Sequence, residues 1–437
     1  MTLRVPFLTD LDSRGDVKGS RDPLGVQAIW THFGRKVVGN LTTVSSSLRG
    51  FTTTLLGYQL AELAKEHRSS SESTLSVFLK VEQLAAYSRL HVKKDGDFRG
   101  IDRVKATLAD GPEIVISSNP SHQILTDQKT YGLWGLYSVP ARRSGLVMSD
   151  EPALVDTAKA FVASSYTHRL ERLRERKYDA LLDALASPKP KHFDLDGDDA
   201  ELAKLFANLH DRRVSAPEQR FYRDTLAHGG EQDPTNGRQR QLAMLLQDMP
   251  DVGVDAPYVR TLVKKAHAAG SDHALLADWL EVILCVEAVL APSARLFQLL
   301  LGRHGDTPEA VARDVARAWR PLRHLDLGKL ESQKSELVDA LQVGDELSPV
   351  RRWVDLATAL HQGDFEVALD LLLEQNAYAM TGRSQGSPWV RLEKGKLDVR
   401  FRDEAGMLPK NDELPSLWRN PYFLDSLRLI VRSLGAS

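Results

Sequence analysis

Apolar side chains recur at helical spacing through most of this 437-residue chain, and this periodicity constrains the fold more than any other feature. Between residues 199 and 375 the pattern is helical almost throughout, with breaks at Gly- and Pro-containing segments. Between 26 and 67 the spacing predicts two helices joined by a polar turn. We therefore predict a mainly α fold.

The segment 73–147 predicts a small α+β module. Ser73 can cap a helix that continues to about Leu90, and residues 96–110 predict a second helix. EIVISS and QILTD then predict two short strands around the turn at 118–121. Helix, helix, hairpin is the order of a winged-helix module, which we expect here.

Composition shifts divide the chain into four segments. A long helix is predicted from 152 to 186, and the prolines of the SPKPKH linker prevent its continuation. The alternation in WVRLEKGKLDVRFRD predicts a hairpin that turns at Gly395, followed by a closing amphipathic helix. The predicted segments are an N-terminal domain (1–150), a long helix and Pro-rich linker (151–198), a helical domain (199–375) and a hairpin with a helix (376–437).

Charge and cysteine content limit the partners and the compartment. The chain has 57 Lys and Arg against 59 Asp and Glu, so its net charge indicates no polyanion or membrane partner. Residues 1–150 have 19 basic against 15 acidic side chains, a net of +4, so any polyanion would meet this third. The single cysteine, Cys285, is predicted in the core, and the acidic N-terminus predicts no signal peptide. We expect a cytoplasmic protein.

Three groups of basic residues are the candidates for nucleic-acid contact: cations beside a hydroxyl-rich segment, cations on the second helix of the winged module, and a stripe at i, i+3 and i+7 on the long helix. Eight Ser and Thr crowd positions 42–54, and such residues share phosphate contacts with Arg and Lys. The alternatives are local capping chemistry for the hydroxyls, protein contact for the winged module, and a solvated face for the basic helix stripe. The predicted nucleic-acid-binding residues are Arg35, Lys36, Arg49, Arg99, Arg103, Lys105, Arg169, Arg172 and Arg176.

Among the aromatic residues, Trp134 is the predicted partner-binding side chain. It lies between Gly132 and Gly135, and flanking glycines suggest an unusual backbone that could expose an aromatic anchor. Other aromatics, including Tyr131 and Tyr137, are predicted in the core.

The sequence contains no recognised catalytic or cofactor motif. P-loop, GxGxxG and HExxH patterns do not occur, and the 13 histidines lack metal-ligand spacing. GRSQG at 382–386 matches GxSxG but lacks the strand before it and a histidine after it. We therefore predict no cofactor, no metal and no assigned catalytic residue, and leave open whether the protein is an enzyme.

Several blocks of the sequence resemble uncharacterised bacterial proteins encoded beside helicases and nucleases in anti-phage defence gene clusters. These blocks are SRDPLGVQAIW, GRKVVGNLTTV, RGFTTTLLG, TYGLWGLYSVPARRSGL, SPWVRLEKGKLDV and NPYFLDSL. The resemblance implies an accessory role in a multi-protein system. The first hypothesis is a non-catalytic subunit that binds duplex DNA or acts as an adaptor to other subunits, for example a helicase or nuclease. The alternatives are a purely protein-binding helical scaffold and a nuclease with an unrecognised active site.

Overall fold

The computed structural model describes most of the chain. The described residues are 22–68, 72–173, 175–343, 348–381, 386–401 and 406–435. Most of the GRSQG match, residues 382–385, lies outside them.

The described residues are mainly helical, which confirms the predicted fold class. In chain order the helices are α1 (Val26–Arg35), α2 (Leu48–Arg68), α3 (Thr74–Lys93), α4 (Ile101–Ala109), α5 (Gln128–Tyr131), α6 (Leu133–Arg143), α7 (Asp156–Val162), α8 (His168–Glu171), α9 (Glu175–Ala186), α10 (Ala200–Leu209), α11 (Ala216–Tyr222), α12 (Arg238–Gln247), α13 (Ala256–Ala268), α14 (Ala274–Leu301), α15 (Pro308–Ala318), α16 (Leu327–Ser332), α17 (Lys334–Leu341), α18 (Ser348–Gln362), α19 (Phe365–Thr381) and α20 (Leu424–Gly435). The strands are β1 (Glu113–Ile116), β2 (Lys191–Asp194), β3 (Val390–Glu393) and β4 (Lys396–Val399).

The chain forms two compact units, each built from two separate segments. Among the described residues, unit 1 comprises those from 22 to 37 and from 251 to 422, and unit 2 comprises those from 38 to 250 and from 423 to 435. The four contiguous segments predicted from the sequence do not follow this division, because local composition does not report which distant segments pack together.

The helices predicted in the first third are confirmed. Helices α1 and α2 are the two helices expected between 26 and 67, and α4 lies within 96–110. The predicted cap of α3 is also present, since the Ser73 side chain accepts a hydrogen bond from the Ser76 amide at 3.1 Å. A capping hydroxyl satisfies one of the amides that the first helical turn leaves unpaired.

The winged-helix-like module is not confirmed, because the predicted hairpin does not form. Strand β1 pairs in antiparallel register with β2, so that Glu113 lies opposite Asp194 and Ile116 opposite Lys191. The predicted partner QILTD is not a strand; its Asp127 side chain instead caps α5 by accepting from the Thr130 amide. Strand β1 thus has a distant partner, which a local hairpin pattern cannot reveal.

The long helix predicted from 152 to 186 is interrupted. Helix α7 continues through a π-helical turn, Ala163–Thr167, into α8, and α9 begins only at Glu175. The C-terminal elements are confirmed: β3 and β4 pair as a hairpin whose turn contains Gly395 at φ +75°, and α20 follows. They do not form one module, because the hairpin belongs to unit 1 and α20 to unit 2.

In unit 2 the centre of the core is the pair α2 and α3. Residues 48–61 of α2 are all buried, including those on the faces that an ordinary surface helix would expose. Gly57 permits the close approach of the two helices, since a Cβ there would lie 2.5 Å from the Phe78 ring. Any polar side chain on this part of α2 must therefore find its partners inside the protein.

In unit 1 the central element is α14, which has 28 residues and is buried along most of its length. Cys285 lies on this helix, and its thiol is buried and free. Burial raises the pKa of the Cys285 thiol to about 12, which suppresses the reactive thiolate. The predicted core position is confirmed. Within the described residues, α14 and the other helices are each too short or too polar to cross a lipid bilayer.

Candidate functional site

Six of the nine predicted cations are exposed, and all six belong to unit 2. They form two sequence groups, one at α4 and one around α8 and α9, and are Arg99, Arg103, Lys105, Arg169, Arg172 and Arg176.

Helix α4 lies on the surface of unit 2 and packs against it through one apolar side chain and its first turn. Val104 is its buried residue, while the neighbouring Arg103 and Lys105 are exposed. Gly100 begins the helix at φ +83°, where a Cβ would lie 2.5 Å from the Ile124 carbonyl oxygen. Arg103 donates a 2.9 Å hydrogen bond to the Gln123 carbonyl, so the loop before α5 holds this side chain at the surface.

The second group does not form the predicted stripe on one helix. Arg169 lies in α8, Arg172 follows its end, and Arg176 lies in α9. The interruption between α8 and α9 removes the i, i+3, i+7 spacing of a continuous helix, although all three side chains remain exposed.

Arg49 is buried, which corrects its predicted place on a phosphate-binding surface. Only 8% of the residue is exposed, and its Nη1 donates to Glu218 Oε1 at 2.6 Å. Tyr166 also donates to this carboxylate oxygen, at 2.9 Å. Burial pushes the pKa of Glu218 upward, but the Arg49 charge and the hydrogen bonds outweigh it and hold the pKa below its usual value.

The hydroxyl-rich segment is also largely internal. Thr52, Thr53 and Thr54 are buried in α2, and each hydroxyl donates to the carbonyl four residues earlier. This bond satisfies a hydroxyl inside a helix without any external partner. The three threonines are therefore part of a buried polar network, and the predicted external contact surface is not formed by them.

Thr53 and His210 resemble the hydroxyl and imidazole of a nucleophilic dyad in distance alone. Thr53 Oγ1 lies 2.8 Å from His210 Nε2, and His210 Nδ1 lies 2.7 Å from the Phe206 carbonyl oxygen. Burial, followed by the nearby charge of Arg89, lowers the pKa of His210 to about 3. A general base is most effective with a pKa near the working pH, so this imidazole is poorly suited to activate Thr53.

The remaining two cations lie in unit 1. Lys36 forms an ion pair with Glu336, with 2.7 Å between Nζ and Oε2, and its ammonium lies 4.9 Å from the centre of the Trp279 ring. Arg35 is half-buried at the end of α1. Lys36 is thus already paired with an acid within its own unit.

Trp134 is half-buried in an aromatic cluster. Its ring lies 5.2 Å from Phe78 and 5.4 Å from Tyr58, measured between centroids. The glycine beside it has a packing explanation, since a Cβ on Gly135 would overlap the Thr130 carbonyl oxygen. The aromatic side chain exposed in this region is Tyr131, at 60%, and the prediction that Tyr131 is a core residue is wrong.

A cavity of about 330 Å³ lies in unit 2, and the exposed Arg99, just before α4, is in its lining. Its lining comes from the loop before α2, from α2, α3 and α6, and from the segment that precedes α4. The polar and charged residues of the lining are Ser46, Ser47, Thr53, Glu82, Arg89, Asp97, Arg99 and Tyr137.

Glu82 is the buried acid of this cavity. Its Oε1 accepts a hydrogen bond from the Leu133 amide and its Oε2 accepts one from Gln128 Nε2, both at 2.8 Å. Within the described part of the chain no cation forms an ion pair with it. Burial raises the pKa of Glu82 to about 7, against the lowering effect of these two hydrogen bonds. Perturbed carboxyls in cavities are typical of binding and catalytic sites.

Arg89 is the buried cation of the cavity, with only 5% of the residue exposed. Its Nε donates to Asp95 Oδ2 and its Nη2 to the Asp97 carbonyl oxygen, each at 2.9 Å. The guanidinium also lies over the Phe98 ring, 5.2 Å from its centre. The segment that leads into α4 is thereby fixed against α3.

The sequence predicts Arg99 as a binding residue but does not single out Glu82 or Arg89. The available signal is weak: both are charged residues within FLKVEQLAAYSRL, a stretch too apolar for a solvated helix. Among the described residues, His, Cys, Asp and Glu form no group of three or more that could hold a metal ion.

No family model, curated protein or solved structure matches this chain at a significant level.

Proposed function

We propose that the protein is a non-catalytic DNA-binding or adaptor subunit of a multi-protein bacterial anti-phage system. The defence context is supported by the sequence resemblance alone. The DNA contact is supported by the exposed cations in and next to α4, Arg99, Arg103 and Lys105. Because Asp97 and Asp102 are exposed among them, we expect modest, salt-sensitive affinity for duplex DNA.

The experiment is a salt titration of duplex binding by the full chain. Each phosphate contact releases condensed counterions, so the slope of log K against log salt reports the number of contacts. The triple variant Arg99→Ala, Arg103→Ala and Lys105→Ala should flatten this slope by roughly two to three units if all three side chains touch phosphates.

The matched control removes the same charge elsewhere in unit 2. Arg220, Arg223 and Arg240 are exposed and lie outside α4. Their triple alanine variant should keep the wild-type slope. If both triple variants shift the slope equally, the effect is one of net charge, and α4 is not the DNA-binding element.

One observation favours the alternative of a purely protein-binding scaffold. Tyr131 is 60% exposed and Val139 is 43% exposed, on the neighbouring helices α5 and α6. Exposed aromatic residues are enriched among interface hot spots. Absence of duplex binding at low salt by the folded wild-type protein would favour this scaffold function over the DNA-binding one.

A further inference from the structure

The cavity beside α4 has a buried floor and an open mouth. Glu82 and Ala86, on α3, are buried, whereas Asp97 and Arg99 at the other end are exposed. Its volume of about 330 Å³ is at the lower end of the range for small-molecule sites, ~300–1,000 Å³. Arg99 thus lies at the open end of the cavity and Glu82 at its closed end.

The floor of the cavity presents paired acceptors. A carboxylate has about four lone-pair sites, and Glu82 uses one on each oxygen, for Leu133 and for Gln128. One lone pair on each oxygen remains for a ligand. A guanidinium binds a carboxylate through two parallel N–H···O hydrogen bonds. Two adjacent N–H donors on the Watson–Crick edge of guanine can bind a carboxylate in the same bidentate way.

The lining also contains hydrogen-bond donors and an aromatic ring. Arg99 is exposed at the mouth, and the Ser46 and Ser47 hydroxyls line the same cavity. Arginine and serine side chains are common phosphate-binding groups. Phe98 is also in the lining, and the ring face away from the Arg89 guanidinium would be the one offered to a planar ligand.

We propose that this cavity binds one guanine nucleotide, with the base edge on Glu82 and the phosphate at Arg99. The chemistry is the same for a free nucleotide and for a guanine extruded from a nucleic-acid strand. The site goes beyond the proposed duplex contact. Arg99 belongs to both, whereas Glu82 belongs to the cavity alone and Arg103 and Lys105 to the duplex contact alone, so either activity can fail without the other.

The experiment is isothermal titration calorimetry of the full-length protein with 5′-GMP, 5′-IMP and 5′-AMP. IMP lacks only the N2 amine of GMP, and AMP presents a different edge. Loss of one hydrogen bond to a buried charged group weakens binding by about tenfold or more. We expect GMP to bind, IMP to bind at least about tenfold more weakly, and AMP more weakly still.

Two variants assign the two ends of the ligand. Glu82→Gln should remove most of the preference for GMP over IMP, because the amide replaces one acceptor by a donor. Arg99→Ala should weaken GMP but leave guanosine, which has no phosphate, unchanged. Arg143→Ala, an exposed arginine on α6 outside the cavity lining, is the matched control and should behave as wild type. Thermal melting shows whether Glu82→Gln is folded. If Glu82→Gln does not fold, Arg99→Ala still tests the proposal, because it changes an exposed residue.

A second experiment distinguishes a free guanine nucleotide from a guanine in a nucleic-acid strand. Single-stranded oligo(dT) with one central dG is compared with oligo(dT) alone by fluorescence anisotropy. Binding of GMP supports a free-nucleotide site, and binding only of the dG oligonucleotide supports capture of a guanine from a strand. Equal affinity for all three mononucleotides, or no binding of either GMP or the dG oligonucleotide by the folded protein, overturns the proposal.

Discussion

The start of α2 and the surface helix α4 contain similar residue types in opposite environments. Both regions combine arginine with threonine, and both are candidates for phosphate contact by composition. In α2, Arg49 and the threonines at 52–54 are buried and bonded to one another or to neighbouring elements. In α4, Arg103 and Lys105 are exposed.

The difference comes from the residues between the polar ones. Helix α2 is filled with Phe51, Leu55 and Leu56, which are fully buried, so the polar side chains among them are carried into the core. Helix α4 has only Val104 buried. Arginine and threonine therefore indicate a polar network in one helix and a solvated surface in the other, and the apolar context decides between them.

The largest expected effect comes from breaking the buried pair. Arg49→Met removes the charge but keeps an unbranched side chain, and leaves Glu218 buried without its cation. Removing one partner of a buried ion pair typically destabilises a protein by about 3–5 kcal/mol. We expect a fall of this size in the free energy of unfolding, measured by urea denaturation.

The double variant Arg49→Met with Glu218→Leu sharpens this prediction. It removes both charges, so it should recover part of the stability lost in Arg49→Met. If Arg49→Met changes the unfolding free energy by less than about 0.5 kcal/mol, as surface substitutions usually do, Arg49 is not a core residue.

Glu82 provides an intermediate effect, because it is buried without a paired cation. Its pKa of about 7 lies above the ordinary 4.5, so the folded state binds an extra proton between these values. Stability from this group is fully present below pH 4.5 and is lost as the pH rises through 7. The loss is at most about 3.5 kcal/mol, at ~1.4 kcal/mol per pH unit.

The comparison of wild type with Glu82→Gln isolates this contribution. A glutamine does not titrate, so the variant should lack the decline in unfolding free energy between pH 4.5 and 7. His210 acts in the opposite direction, since its lowered pKa makes stability fall as the pH drops below 6.5, but both proteins retain it. Glu151→Gln, at an exposed position, is the control and should follow wild type. Identical pH profiles for wild type and Glu82→Gln would contradict a buried, uncompensated Glu82.

Local patterns predicted the elements well and their partners poorly. The Ser73 cap, the turn at Gly395 and the core position of Cys285 depend on neighbouring residues and are confirmed. The pairing of β1 with β2 joins residues 113–116 to 191–194 and contradicts the local hairpin. A strand of four residues can pair with any edge of suitable length, so sequence proximity alone does not select its partner.

The candidate site was predictable only at its exposed end. Arg99 was identified because cations in a polar segment stand out, whereas Glu82 and Arg89 lie within an apolar helix pattern. Their importance follows from burial and from the cavity, which arise when α3 meets α2, α6 and the segment before α4. A charged residue on the buried side of a helix is the general signal that such a cavity leaves in a sequence.

The smallest expected effect lies within α4 and distinguishes two exposed cations. Arg103 donates to the Gln123 carbonyl and, at 3.4 Å, to the Thr126 hydroxyl, whereas Lys105 makes no such bond within the described chain. An exposed hydrogen bond contributes little, so Arg103→Ala should lower the unfolding free energy by about 0.5 kcal/mol and Lys105→Ala by less. Both should fold as wild type in urea titrations, which allows their loss of DNA affinity to be attributed to charge. If either variant lowered the unfolding free energy by several kcal/mol, the cations of α4 would be structural residues like Arg49 in α2. The two helices would then not differ in the way described.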